Sequence, residues 1–132
     1  MKSKAKVVVV GGGVVGVSTL YHLAKKGWSD VVLVERKELT SGSTWHAAGL
    51  LPLFNTVSYT GQLHRYAVQL YKSLEKETGK NVGFSVVSNI RLAQTQDRMD
   101  EYHQYAGVAK TIGVDVKFLK PEQVKEIWPL CN

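Results

Sequence analysis

The sequence predicts an α/β fold: a Rossmann-like parallel βαβ unit of nucleotide-binding type that passes into the start of an α+β domain. Three observations predict it. Residues 6–10, KVVVV, are a β-branched run without alternation, the pattern of a strand covered on both faces. The glycine cluster GGGVVG at residues 11–16 follows at once and opens a helically periodic segment. A second β-branched run, residues 31–34, ends on an acid, Glu35. Strand, helix and strand within about 30 residues form a βαβ unit with a right-handed crossover.

The elements follow in order. Val14, Val17, Leu20 and Ala24 recur at helical spacing through residues 14–26, and Gly27 stands where a left-handed C-cap belongs. Residues 39–53 read as a loop rich in small side chains. Residues 60–78 form an amphipathic helix with Leu63, Tyr66, Ala67, Leu70, Tyr71 and Leu74 on one face and Gly79 at its end. Residues 82–87 and 90–93 read as two short strands around Ser88-Asn89. Asp97 is the candidate cap of a helix reaching Ile112 and closed by Gly113. Residues 114–119 alternate Val114, Val116 and Phe118 with Asp115 and Lys117, a strand pattern. Pro121 suits the first turn of a last helix ending before Trp128-Pro129. Tyr66, Tyr71, Tyr102 and Tyr105 fall at helical spacing, which favours packing over a substrate cage.

Composition narrows the function classes. With 132 residues, 44% hydrophobic and 21% charged, the chain is globular in composition and not disordered. Its net charge of +6 raises the question of nucleic acid, but the basic residues are scattered and interleaved with acids, so no nucleic-acid partner is expected. No apolar run approaches the ~18 residues of a membrane span. Lys2, Lys4 and Lys6 before an apolar run imitate a signal peptide, but the glycines interrupt the run and no small-residue cleavage site follows. The single cysteine, Cys131, excludes an internal disulfide framework and a cysteine-only metal cage, and no metal site is expected.

The glycine cluster carries the chemistry. It matches G-x-G-x-x-G: Gly11 permits the tight turn out of the strand, Gly13 admits a pyrophosphate close to the backbone, and Gly16 lets helix and strand approach. The helix amino end then offers N–H groups and partial positive charge to an anion. Glu35 follows Gly16 by 19 positions, near the ~20 typical of the acid that accepts hydrogen bonds from a ribose. A carboxylate there repels a 2′-phosphate, against an NADP role. In the loop SGSTWHAAGL, Ser43 and Thr44 are candidate phosphate donors.

The segments VVVVGGGVVGVSTLYHLAKKG, LVERKELTSGSTWHAAGL, YKSLEKETGKNVGF, NIRLA and PEQVKEIWPL resemble the amino-terminal part of the dimethylglycine and sarcosine dehydrogenase family, within the D-amino-acid-oxidase-like flavoproteins. SGSTWHAAGL is the most specific of these. The resemblance implies a FAD-binding unit of glutathione-reductase/D-amino-acid-oxidase type over residues 1–80 and the truncated beginning of a substrate domain over 81–132. It implies contacts to FAD from Val14 and Val15, and a place for Glu35 and Arg36 at the adenosine ribose. Gly42, Ser43, Thr44, Trp45, His46, Ala47, Ala48, Gly49 and Leu50 would line the pyrophosphate and flavin. His46 matches the histidine joined covalently to the flavin, a role in which a neutral imidazole nitrogen adds to the methyl position of an oxidised flavin tautomer.

The implied function is oxidation of an N-methylated glycine by hydride transfer to flavin. The electron acceptor would be oxygen or an electron-transfer flavoprotein, and tetrahydrofolate a one-carbon acceptor in the full-length protein. The catalytic residues would lie beyond residue 132. Two other readings remain open: a non-catalytic regulatory relative acting through protein interaction, and a plain NAD-binding domain, against which the SGSTWHAAGL loop argues. The expected location is the bacterial cytoplasm, or the mitochondrial matrix in a eukaryote. The chain reads as a partial one, expected to be poorly stable and inactive alone.

Overall fold

Four valines build the first strand, β1 (Val7–Val10), and the segment Val31–Val34 builds the second, β2. The computed structural model describes residues 3–131. The strands pair in parallel, Val7 opposite Val31 through Val10 opposite Val34. Helix α1 (Val14–Lys25) makes the crossover between them. Its end is a Schellman closure: Gly27, at φ +86°, donates its N–H to the Ala24 carbonyl at 2.9 Å, and Trp28 donates to Leu23 at 3.1 Å. Gly27 is therefore the left-handed residue expected from the sequence, and the expected βαβ unit is present.

The covering of the strands differs from the expectation. Val8 and Val10 are 53% and 84% exposed, while Val9 faces α1 across Gly16. Burial alternates along β1, because α1 covers one face and no described residue covers the other.

The chain divides into two compact units, Met1–Leu50 and Leu51–Asn132. This break in packing precedes residue 80 because the second long helix, α2 (Ser58–Thr78), packs on α3 (Gln96–Thr111). Helix α2 begins two residues before the expected Thr60 and ends at Gly79, φ +67°, whose N–H reaches the Glu75 carbonyl at 2.9 Å. Gly61 makes the α2–α3 approach possible: it is buried, and a Cβ there would lie 2.3 Å from Ile112 Cδ1. Arg65 adds a polar clamp, its guanidinium donating to the Ile112 carbonyl at 2.5 Å. That cation at the carboxyl end of α3 complements the helix dipole. Ala109, Ile112 and Val124 are the buried apolar residues here, Val124 coming from α4 (Pro121–Ile127) with Pro121 in its first turn.

Two expectations in this unit are corrected. Thr95, not Asp97, caps α3: its hydroxyl accepts the Arg98 N–H at 3.2 Å, which leaves Asp97 inside the first turn. Residues 82–87, 90–93 and 114–119 are not strands, since none pairs with a second strand among the described residues. Side chains hold these stretches instead. Phe84 stacks on Tyr71 at 5.7 Å between centroids, and Phe118 on His103 at 4.0 Å. Of the four tyrosines assigned to packing, Tyr102 and Tyr105 lie edge-on to Phe54 and Tyr71 meets Phe84, while Tyr66 stands half exposed. His64 leans its Nδ1 on the Pro52 carbonyl at 2.7 Å, and His22 uses its own on Ser18 at 2.6 Å. Among the described residues no helix is long and apolar enough to cross a membrane.

Candidate nucleotide-binding site

The site begins where β1 ends. Gly11 donates its N–H to the Val34 carbonyl at 2.8 Å, extending the ladder by one bond, and then turns at φ +105°. A side chain is strained in that conformation. Gly16 is needed for space: a Cβ there would lie 1.8 Å from the Gly11 carbonyl oxygen and 3.5 Å from Val9 Cγ1. Gly13 has an ordinary φ of −77°, so its constraint is also one of space, with Thr44 Oγ1 3.0 Å from a would-be Cβ. The tight turn at Gly11 and the close approach at Gly16 thus have a geometric basis.

The first helical bond of α1 runs from Val17 N–H to the Gly13 carbonyl at 3.0 Å. Val14, Val15 and Gly16 therefore present N–H groups with no acceptor inside the helix. Gly13 has no side chain with which to cap them. Thr44, from the loop 30 residues on, does so: its hydroxyl accepts the Val14 N–H at 2.9 Å. Thr44 belongs to a 3-10 turn, Ser43–His46, that sequence periodicity did not reveal. Within that turn the Trp45 and His46 rings lie 4.1 Å apart at 37°, both exposed.

Glu35 closes the other side. Its carboxylate accepts the Gly12 N–H at 2.6 Å and the Lys37 N–H at 2.9 Å. Those two bonds, Gly12 first, hold the carboxyl below its ordinary value of 4.5. Gly12 itself, a variable position of the motif, is buried and hemmed in: a Cβ there would lie 2.6 Å from Leu39 Cδ2 and 3.1 Å from the Glu35 side chain. Its carbonyl accepts the Thr40 N–H at 2.9 Å, with Thr40 at φ +65°. Gly12, Leu39 and Thr40 were not singled out from the sequence. The run of three glycines was the signal for Gly12; nothing comparable marks Leu39 or Thr40.

The structure thus gathers Gly11, Gly13, Val14, Gly16, Glu35 and Thr44 at the carboxyl end of β1. Arg36, Gly42, Ala47, Ala48, Gly49 and Leu50 are exposed and make no side-chain bond to the glycine turn. Val15 points outward at 77% exposure, so its contribution to the turn is its N–H. A cradle without side chains, helix N–H groups facing it and an acid at the next strand end suit the pyrophosphate and ribose of a dinucleotide.

Residues 6–132 match the family described as FAD dependent oxidoreductase. The chain is 45% identical over 131 residues to mitochondrial dimethylglycine dehydrogenase of Rattus norvegicus, covering 99% of this chain and 15% of that protein. It is 38% identical over 132 residues to the mitochondrial pyruvate dehydrogenase phosphatase regulatory subunit of Mus musculus, covering 100% of this chain and 15% of that one. The crystal structure of L-proline dehydrogenase from P. horikoshii superposes with a TM-score of 0.84 at 28% identity, over 98% of this chain and 34% of that one. The chain spans about 15% of the length of the curated relatives it matches.

Proposed function

Since the chain belongs to the FAD-dependent oxidoreductase family, we propose that it forms the dinucleotide-binding end of a flavin-dependent amine oxidoreductase acting on an N-methylated glycine such as dimethylglycine or sarcosine. One observation carries the reading: the Thr44–Val14 hydrogen bond of 2.9 Å places the loop bearing His46 against the glycine cradle, within a single compact unit. A cofactor gripped at its pyrophosphate and tethered at its flavin needs both features on one body.

The chain's own residues divide the work. The N–H groups of Val15 and Gly16 offer the anion site its donors. Glu35 keeps acceptor capacity beyond its two backbone bonds, enough for a ribose hydroxyl. His46 is the attachment point for a covalent link to the flavin, with Trp45 beside it. Arg36 and the stretch from Gly42 to Leu50 complete the cofactor's surroundings. FAD held there supplies the acceptor for a hydride from the substrate's N-methyl carbon. Tetrahydrofolate or water takes the one-carbon unit, and oxygen or an electron-transfer flavoprotein takes the electrons. The mitochondrial names of the relatives support a mitochondrial location in a eukaryote; the matrix there, and the cytoplasm in a bacterium, belong to the same proposal. The domain division at residue 80 belongs to the same proposal.

The similarity to a phosphatase regulatory subunit supports a second reading, a non-catalytic protein. A single experiment separates them. The full-length protein is precipitated with acid, and its pellet and supernatant are examined for flavin. A yellow pellet, together with oxidation of dimethylglycine or sarcosine by the native protein, is the expected result. Flavin in the supernatant removes the covalent role of His46 and leaves FAD binding intact. No flavin and no amine oxidation favour the regulatory reading.

A further inference from the structure

We propose that Thr44 is a positioning residue for His46: by holding the Val14 N–H, its hydroxyl seats the 3-10 turn on the amino end of α1 and so presents the imidazole two residues later for attachment to the flavin. The proposal rests on the reading of His46 as the attachment point and adds a second residue on which attachment depends. In that attachment an N–C bond replaces one methyl C–H and the imidazole N–H, the two hydrogens and two electrons pass to the flavin ring, and oxygen, an acceptor in the proposed activity, reoxidises it.

Three observations support it. First, Gly13 occupies the N-cap of α1 without a side chain, so the cap is supplied from a distance by Thr44. Second, the bond is close-fitting: Thr44 Oγ1 lies 3.0 Å from where a Gly13 Cβ would stand, so a side chain at 13 would push the hydroxyl back by a few tenths of an ångström. Third, the segment leading into the turn is fastened at both edges of Gly12. The Gly12 N–H goes to Glu35, and the Gly12 carbonyl receives the Thr40 N–H. After Thr40 the next hydrogen bond from this segment to the glycine turn is that of Thr44. Without it, the hydrogen bonds that hold Ser43–His46 among the described residues are local, such as Ala47 N–H to the Thr44 carbonyl at 3.3 Å. The imidazole then samples many positions, and effective concentration at the reacting methyl falls.

The test uses full-length protein and measures the share of flavin that stays with the acid-precipitated polypeptide. Thr44→Val removes the hydroxyl at nearly constant volume, and Thr44→Ser restores it. In Thr44→Val, bound FAD should be attached about fivefold more slowly when FAD is added to apoprotein, the scale of one hydrogen bond. Thr44→Ser should attach it at the wild-type rate. Val14→Pro removes the same N–H at a helix position that tolerates proline, and should slow attachment while Thr44 is intact. Equal attachment rates in Thr44→Val and wild type overturn the proposal. So does loss of all FAD binding in Thr44→Val with its fold intact by circular dichroism, since that assigns Thr44 to the cradle itself. If Thr44→Val does not fold, Val14→Pro decides: slow attachment upholds the proposal and wild-type attachment overturns it. A wild-type protein with no acid-stable flavin refutes the His46 reading itself, an outcome distinct from any of these.

Discussion

The Glu35 carboxylate and the Gly12 N–H meet at 2.6 Å, although 23 residues separate them in the chain. The acid expected to serve a ribose thus also braces the glycine turn, tying the end of β2 to the end of β1. The same residue receives the Lys37 N–H, so the bend out of β2 is part of one hydrogen-bonded unit with the turn.

That arrangement sets a pH dependence. Both bonds favour the ionised carboxyl and hold it below 4.5, Gly12 contributing most. A carboxyl lowered in the folded state stabilises it fully above the unfolded value, and the contribution fades as pH falls through the folded one. Melting temperatures of wild type and Glu35→Gln, followed from neutral to acid pH, should differ at neutrality, draw together as pH falls below about 4.5, and meet once it has passed the lowered folded value. A difference that persists unchanged into acid would contradict the assignment.

Two glycines in helices should respond in opposite directions. A Cβ on Gly16 meets the Gly11 backbone at 1.8 Å, which cannot move without disrupting the turn. Gly16→Ala should cost about 3 kcal/mol or more and abolish flavin retention. Gly107 lies exposed on α3 with nothing within 4 Å of a Cβ. Gly107→Ala should stabilise by about 0.5–1 kcal/mol, readable as a raised melting temperature.

The α2–α3 contact predicts a compensating pair. Gly61→Ala drives a Cβ against Ile112 Cδ1 and should cost about 1–3 kcal/mol. Ile112→Val removes that same Cδ1 and alone should cost about 0.5–1.5 kcal/mol. Together they should cost less than their sum, because the valine vacates the space the alanine needs. Additive denaturation data would place the clash elsewhere.

The cap of α3 discriminates two neighbours. Thr95→Ala should lose about 1 kcal/mol, the usual worth of an N-cap hydroxyl. Asp97→Ala should lose less, since its carboxylate acts only through the helix dipole. Thermal unfolding of the two variants side by side decides between them.

The βαβ unit was legible because its signals are local. Val7 to Val10, the glycines and Gly27 each act on backbone within a few residues, so composition and spacing determine them without reference to the rest of the fold. The same holds for Gly79, Gly113 and Pro121, which close or open helices from their own φ preferences. Residues 82–87, 90–93 and 114–119 show where that logic stops. Alternation describes a strand's faces, but a strand exists only when a second backbone takes up its hydrogen bonds, and the described residues supply none. Thr95 and Asp97 were two residues apart and chemically equivalent as caps, so only the helix's actual start could choose between them.

At the site, the residues themselves and their order came from sequence: the three motif glycines, Glu35 at the second strand's end, and the SGSTWHAAGL loop that the family resemblance marked. Only the tertiary structure decided that Gly12 is held by Glu35, that Thr40 bends at positive φ to reach it, and that Thr44 caps a helix whose own N-cap is bare. The physical reason is one of range. Glycine's freedom and helical periodicity are properties of adjacent bonds, whereas a hydrogen bond spanning 23 or 30 residues forms only after the strands have paired and brought its two ends together.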